Sequence, residues 1–354
     1  MYRQKNRPGR RLSALVASAL TASLLVACAG TPPTGSPAAS PGEGKLRVFG
    51  AFATQIEEPW DGVIHRALEK EQAAGRIEYS YTDDLGYSGD MERELLEVSQ
   101  GENAPDIIFG DAFGNEEATR RVADQFREIA YVFGSGGGPA DPNFSVFDNW
   151  IHEPAYLAGM LAGGLTESNV LGVVGGYPVP EVNRITNAFI AGAQEVNPEV
   201  EVKVTFLNSW FDPAAAKEAA LAQIDAGADV LYAERFGVIE AARERGVLAF
   251  GNMSDQRELA PEHVVSSVVW NMEPTVEYVI DQVLAGAYTA QDLKDFSMFA
   301  KGGASLADIN TDVIGGVPDD LVERVREREG EIRSGLFRVD INEATPPGSV
   351  IPEG

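Results

Sequence analysis

From residue 45 to residue 285, short apolar runs alternate with longer stretches of helical periodicity. That alternation is the tightest constraint on what the chain can fold into. Residues 45–51, 77–81, 106–109 and 127–133 read as strands. Residues 61–74 and 90–100 read as helices, the first with Val63, Ile64, Ala67 and Leu68 at helical spacing. A third helix opens after residues 110–114. A glycine-rich turn at 134–139 leads into 144–150, and the pattern then restarts. Helices are expected at 154–165, 182–196, 213–226 and 236–245, with strands at 170–174, 202–206, 229–232, 247–250 and 264–269. Helices at 273–284 and 319–334 follow. Strands joined through helices lie parallel with right-handed crossovers, so the expected class is α/β, as two Rossmann-like lobes. Further crossings between the lobes are expected near 264–270 and 296–300.

One corner of this pattern carries the sharpest local signal. Residues 206–213 read Phe-Leu-Asn-Ser-Trp-Phe-Asp-Pro. They follow an alternating strand and precede an alanine-rich helix, with Asp212 in the N-cap place and Pro213 in the first turn. Trp210 therefore stands at the carboxyl end of a strand, where open α/β sheets bind ligands. Packing against the neighbouring helix is the competing role.

The first residues are an address rather than a fold. Five basic side chains between Arg3 and Arg11 precede an apolar run over 12–27, the pattern of a secretory signal. Cys28 is the single cysteine of the chain, so no disulfide framework accounts for it. Residues 29–44, rich in Pro, Gly, Ser and Thr, have the composition of a tether. Removal of residues 1–27 takes the net charge from −26 to −31. So acidic a surface argues against nucleic acid and against peripheral binding to anionic lipid. It suits solubility, or adaptation to salt.

Catalytic and cofactor signatures are missing. The sequence has no G-x-G-x-x-G turn after its first strand, no phosphate-binding G-x-x-x-x-G-K-[ST] loop and no G-x-S-x-G elbow. His65, His152 and His263 fall in separate elements and form no metal-binding pair. No enzyme, metal or cofactor is expected.

Leu25-Val-Ala-Cys28 resembles the lipobox of bacterial lipoproteins, which would make Cys28 the lipidated N-terminus. Residues 179–182 (Val-Pro-Glu-Val), 188–194 with 196–198, 208–213, 224–229 (Ile-Asp-Ala-Gly-Ala-Asp), 246–251 and Ser254-Asp255 together resemble the basic membrane protein (Bmp) family. This is a branch of the substrate-binding lipoproteins of ABC importers, and it includes purine nucleoside receptors and adenine-binding relatives. The similarity is clearest from about residue 149 to residue 285. It implies a type I periplasmic-binding fold, with three hinge crossings and a ligand held between two lobes. The boundaries it suggests are a signal at 1–27, a lipidated tether at 28–44 and an N-terminal lobe at 45–148 with a return segment near 271–298. A C-terminal lobe at 149–270, with 300–335, and a tail at 336–354 complete them.

The same resemblance implies a monomer on the extracytoplasmic face of the membrane. Its lipid anchor, an ABC permease and a purine-like ligand would be its partners, with adenine or a nucleoside as the expected cargo. Trp60 and Trp210 would stack on a planar base. Asp111, Phe113, Asn252, Ser254 and Asp255 follow strands and are expected as edge or wall contacts, with ordinary capped turns as the competing role. Asp212 caps a helix and is a candidate for indirect binding. Phe236 and Trp270 stand where relatives offer polar residues, which favours a base over a nucleoside. Trp150 and Trp270 fall at hinge crossings. The N-terminal turn, Glu57-Glu-Pro-Trp60, departs from the family's usual run. Two other classes remain open: a ligand-sensing receptor for a membrane signalling protein, and an exported nucleoside-processing enzyme.

Overall fold

The computed structural model describes residues 45–352. Cys28 and the expected signal and tether lie outside the described residues. The first lobe carries strands β1 (Leu46–Ala51), β2 (Ile77–Thr82), β3 (Ile107–Asp111), β4 (Ala130–Gly134) and β5 (Phe144–Phe147). They form one sheet in the order β2-β1-β3-β4-β5, parallel throughout. Helices α1 (Pro59–Ala73), α2 (Asp90–Val98) and α3 (Glu116–Gln125) connect them. Strands β3, β4 and β5 are buried along their whole length, as expected of parallel strands covered on both faces.

The second lobe opens with α4 (His152–Leu165) and continues through β6 (Val170–Gly175), α5 (Pro180–Val196) and β7 (Glu201–Phe206). Then come α6 (Pro213–Asp225), β8 (Val230–Ala233), α7 (Val238–Arg245), β9 (Leu248–Met253) and β10 (Val264–Trp270). Helix α4 is apolar nearly all round and buried at His152 and from Pro154 to Gly163, which places it inside the core. After β10 the chain returns to the first lobe as α8 (Glu273–Leu284), which is tied to α1 through Lys70 and Glu273 and to the turn after α1 through Arg76 and Asp281. Asp292 then pairs beside Val146 of β5. The chain goes back once more to add β11 (Ala304–Leu306) and α9 (Asp319–Ser334). The second sheet runs β11-β10-β9-β8-β6-β7. Its one departure from the parallel expectation is β11, antiparallel to β10, because it arrives directly from the last crossing rather than through a helix.

The crossings lie at 148–151, 271–272 and about 298–303, and tryptophans mark the first two. Trp150 carries the Arg184 guanidinium 4.5 Å above its ring. Trp270 donates its indole N–H to Ser297 Oγ at 2.9 Å. Arg184 is buried and joins Asp148, at the first crossing, to Glu343 of the C-terminal segment. That segment returns over α5, where Asn187 donates to the carbonyls of Asn342 and Ala344 at 2.8 Å. It ends against β7, with Phe206 donating to the Val350 carbonyl and Val350 to that of Val204, both at 2.9 Å. An otherwise unpaired sheet edge is thereby covered. No helix among the described residues is long and apolar enough to cross a membrane.

Candidate functional site

The site is built where strand ends of the two sheets face each other. After β1 the chain turns through Thr54 into α1, whose N-terminus is capped by Glu58. Its carboxylate accepts from the backbone N–H of Trp60 at 2.8 Å and of Asp61 at 3.3 Å. With Pro59 in the first turn, this start is fixed in direction, and it aims Trp60 back over the sheet. Gly134, the last residue of β4, makes room for the indole: a Cβ there would run into Trp60 Cη2. Trp60 is 6% exposed, stacked on Phe147 at 5.6 Å and tilted against Trp270 at 5.1 Å. Asp111 ends β3, and its carboxylate accepts from Phe113 N at 2.8 Å, a turn that projects Phe113 from the first lobe.

On the facing lobe, Trp210 occupies the corner between β7 and α6. Asp212 caps α6 by accepting from Ala215 N at 3.0 Å. Gly176 seats the indole, since a Cβ at that position would approach Trp210 to 2.8 Å. Across the cleft Phe113 meets Trp210 edge to face at 5.0 Å, and Tyr177 completes the group 4.8 Å from Trp210. Trp60, Asp111, Phe113 and Trp210 all line one cavity of ≈ 20 Å³, together with Thr54, Glu58, Tyr87, Ser135, Glu181 and Arg235. A larger hollow of ≈ 440 Å³ beside it shares Phe113, Ser135 and Glu181 and reaches Trp150, Arg184 and Lys294. One water needs about 10–15 Å³, so the inner cavity admits a heterocycle only when its walls part.

Two polar links hold those walls together. Arg235, two residues after β8, donates to Glu58 of the other lobe at 3.1 Å and to the Trp210 carbonyl at 2.8 Å, while also pairing with Glu234. Ser135, directly after β4, donates to Glu181 at the start of α5 at 3.0 Å. The site is markedly acidic. Burial, followed by the nearby charge of Glu58, raises Asp61 to about 7. Burial and then Asp148 raise Glu181 to about 8. Asp111 is held well above the usual carboxylate range by burial and by Asp61. Asp61 and Glu181 are therefore neutral or part-neutral near pH 7.

The other expected contacts lie elsewhere. Asn252 is 2% exposed, receives the Tyr232 hydroxyl at 2.7 Å and stands behind the cavity rather than on it. Ser254 donates its backbone N–H to the Asn252 carbonyl at 2.8 Å, and the exposed Asp255 accepts from Arg257 N at 3.1 Å. Phe236 meets Phe211 edge to face at 6.2 Å. Trp270 backs Trp60. Sequence reasoning passed over Thr54, Glu58, Tyr87, Ser135, Glu181 and Arg235. Ser135 directly follows β4 and Arg235 stands two residues after β8, so strand-end position was a signal available for them. Among the described residues no cluster of His, Cys, Asp and Glu is arranged to hold a metal ion.

The family model described as "ABC transporter substrate-binding protein PnrA-like", Bmp, matches residues 56–333. The chain belongs to the Bmp family. A purine-binding protein of Brucella abortus (strain 2308) is 31% identical over 78% of this chain and 76% of its own length. A putative ABC transporter glucose-binding protein of Haloferax volcanii is 34% identical over 60% of this chain, which spans only 54% of that relative. Among solved structures, an ABC transporter system solute-binding protein from Conexibacter woesei DSM 14684 superposes with a TM-score of 0.67 at 22% identity. The match covers 84% of this chain and 99% of that one. Members of the Bmp family are substrate-binding proteins of ABC transporters rather than enzymes. They bind small molecules and work with ABC permeases, so the two-lobed α/β architecture and the role as a binding protein agree with the sequence reading.

Proposed function

We propose that this Bmp-family chain is a lipid-anchored extracytoplasmic receptor, and that its cargo is a flat heterocycle of the purine class, with adenine the leading candidate. The observation that carries this reading is the pairing of Trp210 with Phe113 across the cleft, beside Trp60 and the buried Asp111. When the lobes part, a planar ring enters between the aromatic walls, and Asp111 accepts from a base N–H. The purine-binding Brucella relative points the same way. Lipidation at Cys28 rests on the lipobox, outside the described residues.

Stacking alone is insufficient. A base–aromatic contact contributes about 1–3 kcal/mol, so two faces give roughly 2–6 kcal/mol. Micromolar affinity needs about 8 kcal/mol. The remainder falls to edge hydrogen bonds and to water exclusion on closure, less whatever opening the walls costs.

The Haloferax relative supplies a second ligand class, a hexose, which also stacks on aromatic faces. Calorimetry with adenine, guanine, hypoxanthine, adenosine and glucose separates the two. Heat from at least one purine and none from glucose is expected. Heat from glucose alone would replace the purine assignment.

A further inference from the structure

The cavity is walled by aromatic rings, yet its charge is strongly one-sided. Glu58, Asp111 and Glu181 line it, and among the described residues Arg235 is the one basic side chain that does. Two further carboxylates stand directly behind. Asp61 receives the Thr54 hydroxyl at 2.6 Å, and Glu234 pairs with Arg235 at 2.5 Å. Arg235 is already spent on Glu58 and Glu234, which leaves Asp61, Asp111 and Glu181 without a cationic partner at the cavity. Two buried polar groups here also lack any hydrogen-bond partner: Asp61 Oδ1, in a residue 1% exposed, and the indole N–H of Trp60 on the cavity wall.

Resting on the heterocycle reading above, we infer that the cleft holds its ligand as a cation, a flat nitrogen heterocycle bearing positive charge in the bound state. Its ring lies against Trp60, Phe113 and Trp210, and its charge faces Asp111 and Glu181. Two features favour a cation over a neutral ring. Aromatic faces attract a desolvated cation through their quadrupole. Unpaired carboxylates in a closing, low-dielectric site are costly unless protonated or neutralised. Burial and then Asp61 push Asp111 well above the usual carboxylate range; burial and then Asp148 raise Glu181 to about 8 against Arg184 and the Ser135 hydrogen bond, so Glu181 carries a proton near pH 7. Tyr87, whose phenol burial pushes up, adds no positive charge. A fixed cation entering this site displaces such a proton to the buffer. A neutral basic ring instead takes the proton from the carboxyl, giving the same ion pair with no net release.

The test uses the purified, unaltered chain and two matched pairs of probes at about pH 8. One pair is N-methylquinolinium, permanently charged, and its neutral, non-basic isostere 1-methylnaphthalene. The other is adenine and the less basic hypoxanthine. The charged or more basic member of each pair is expected to bind at least about tenfold tighter. Calorimetry in buffers of different ionisation enthalpy is expected to show proton release for N-methylquinolinium only. Equal affinity within both pairs, or preference for the neutral members, overturns the inference while leaving the purine reading in place. Binding of N-methylquinolinium with no purine bound keeps the inference and removes the purine. Binding of none of the four overturns both. As a second measurement, Glu181→Gln and Asp111→Asn are each expected to weaken N-methylquinolinium about tenfold and 1-methylnaphthalene less. An equal loss for the two would count against the inference.

Discussion

Glu58 and Arg235 meet across the cleft at 3.1 Å, with each side chain 4% exposed. One carboxylate thus does two jobs: its second oxygen caps α1 while the first ties the lobes together. Removing one partner of a buried ion pair typically costs about 3–5 kcal/mol, and here the chain can relieve that cost by parting its lobes. Arg235→Met is therefore expected to enlarge the radius of gyration measured by small-angle scattering without added ligand. Glu58→Gln, which retains an acceptor for the cap, is expected to do so less. Superimposable scattering curves for Arg235→Met and the unaltered chain would show that the pair does not hold the cleft.

Trp210→Ala is expected to weaken binding of the cargo by about 1–3 kcal/mol, the value of one stacked face. The indole is half-buried and seated on Gly176, so circular dichroism should report an intact fold. Unchanged affinity would assign Trp210 to packing alone.

Gly134→Ala places a methyl group against the indole of Trp60. Forcing an extra carbon into a packed site costs about 1–3 kcal/mol. The expected readouts are a lower denaturation midpoint and a shifted tryptophan emission, because the ring must leave its stack on Phe147.

Two acids, the buried Asp61 and the half-buried Glu181, give stability an inverted pH dependence. Glu181 and Asp61 are raised from 4.5 and 3.8 to about 8 and about 7. Between those values the folded chain keeps protons that the unfolded chain has lost. Their contribution is thus complete below the unfolded values and is lost as pH rises through about 7 to 8. His152, lowered to about 4 by burial and then by Arg184, acts in the opposite sense as pH falls below 6.5. Glu181→Gln and Asp61→Asn should each flatten the fall in melting temperature between about pH 5 and 8. A profile parallel to that of the unaltered chain would refute the shift.

Asn252 separates a structural role from a binding one. Its amide oxygen receives the Tyr232 hydroxyl at 2.7 Å, and its backbone N–H reaches Gln256 Oε1 at 3.1 Å. Asn252→Ala strands the buried hydroxyl of Tyr232, at an expected cost of about 1–3 kcal/mol in chemical denaturation. Cargo affinity should change less than about tenfold. A larger loss of affinity with unchanged stability would bring Asn252 to the ligand.

The strands were legible because buried parallel strands are continuous apolar runs, and the helices because Asp212-Pro213 and the apolar spacing of α1 announce themselves. Strand-end position picked out Asp111, Phe113 and Trp210, which line the cavity, since that position depends only on chain order. Charge partners were not legible. Glu58, Glu181 and Arg235 come from three elements far apart in sequence, and nothing local distinguishes them in a chain with 54 acidic residues. Phe236 attracted notice as an aromatic, whereas its neighbour Arg235 is the residue that enters the cavity. The reversed direction of β11 escaped because three residues, Ala304–Leu306, are too few to show a period.

The C-terminal segment has a mechanical consequence. Glu343 grips Arg184, Arg184 grips Asp148, and Val350 is stitched to β7. The same strap that hems the sheet therefore also reaches the first pivot between the lobes. A cut near Leu336 would do two things at once: leave β7 with a bare selvedge on which a second chain could knit, and slacken the joint at Asp148. Self-association and looser hinge motion should then appear together.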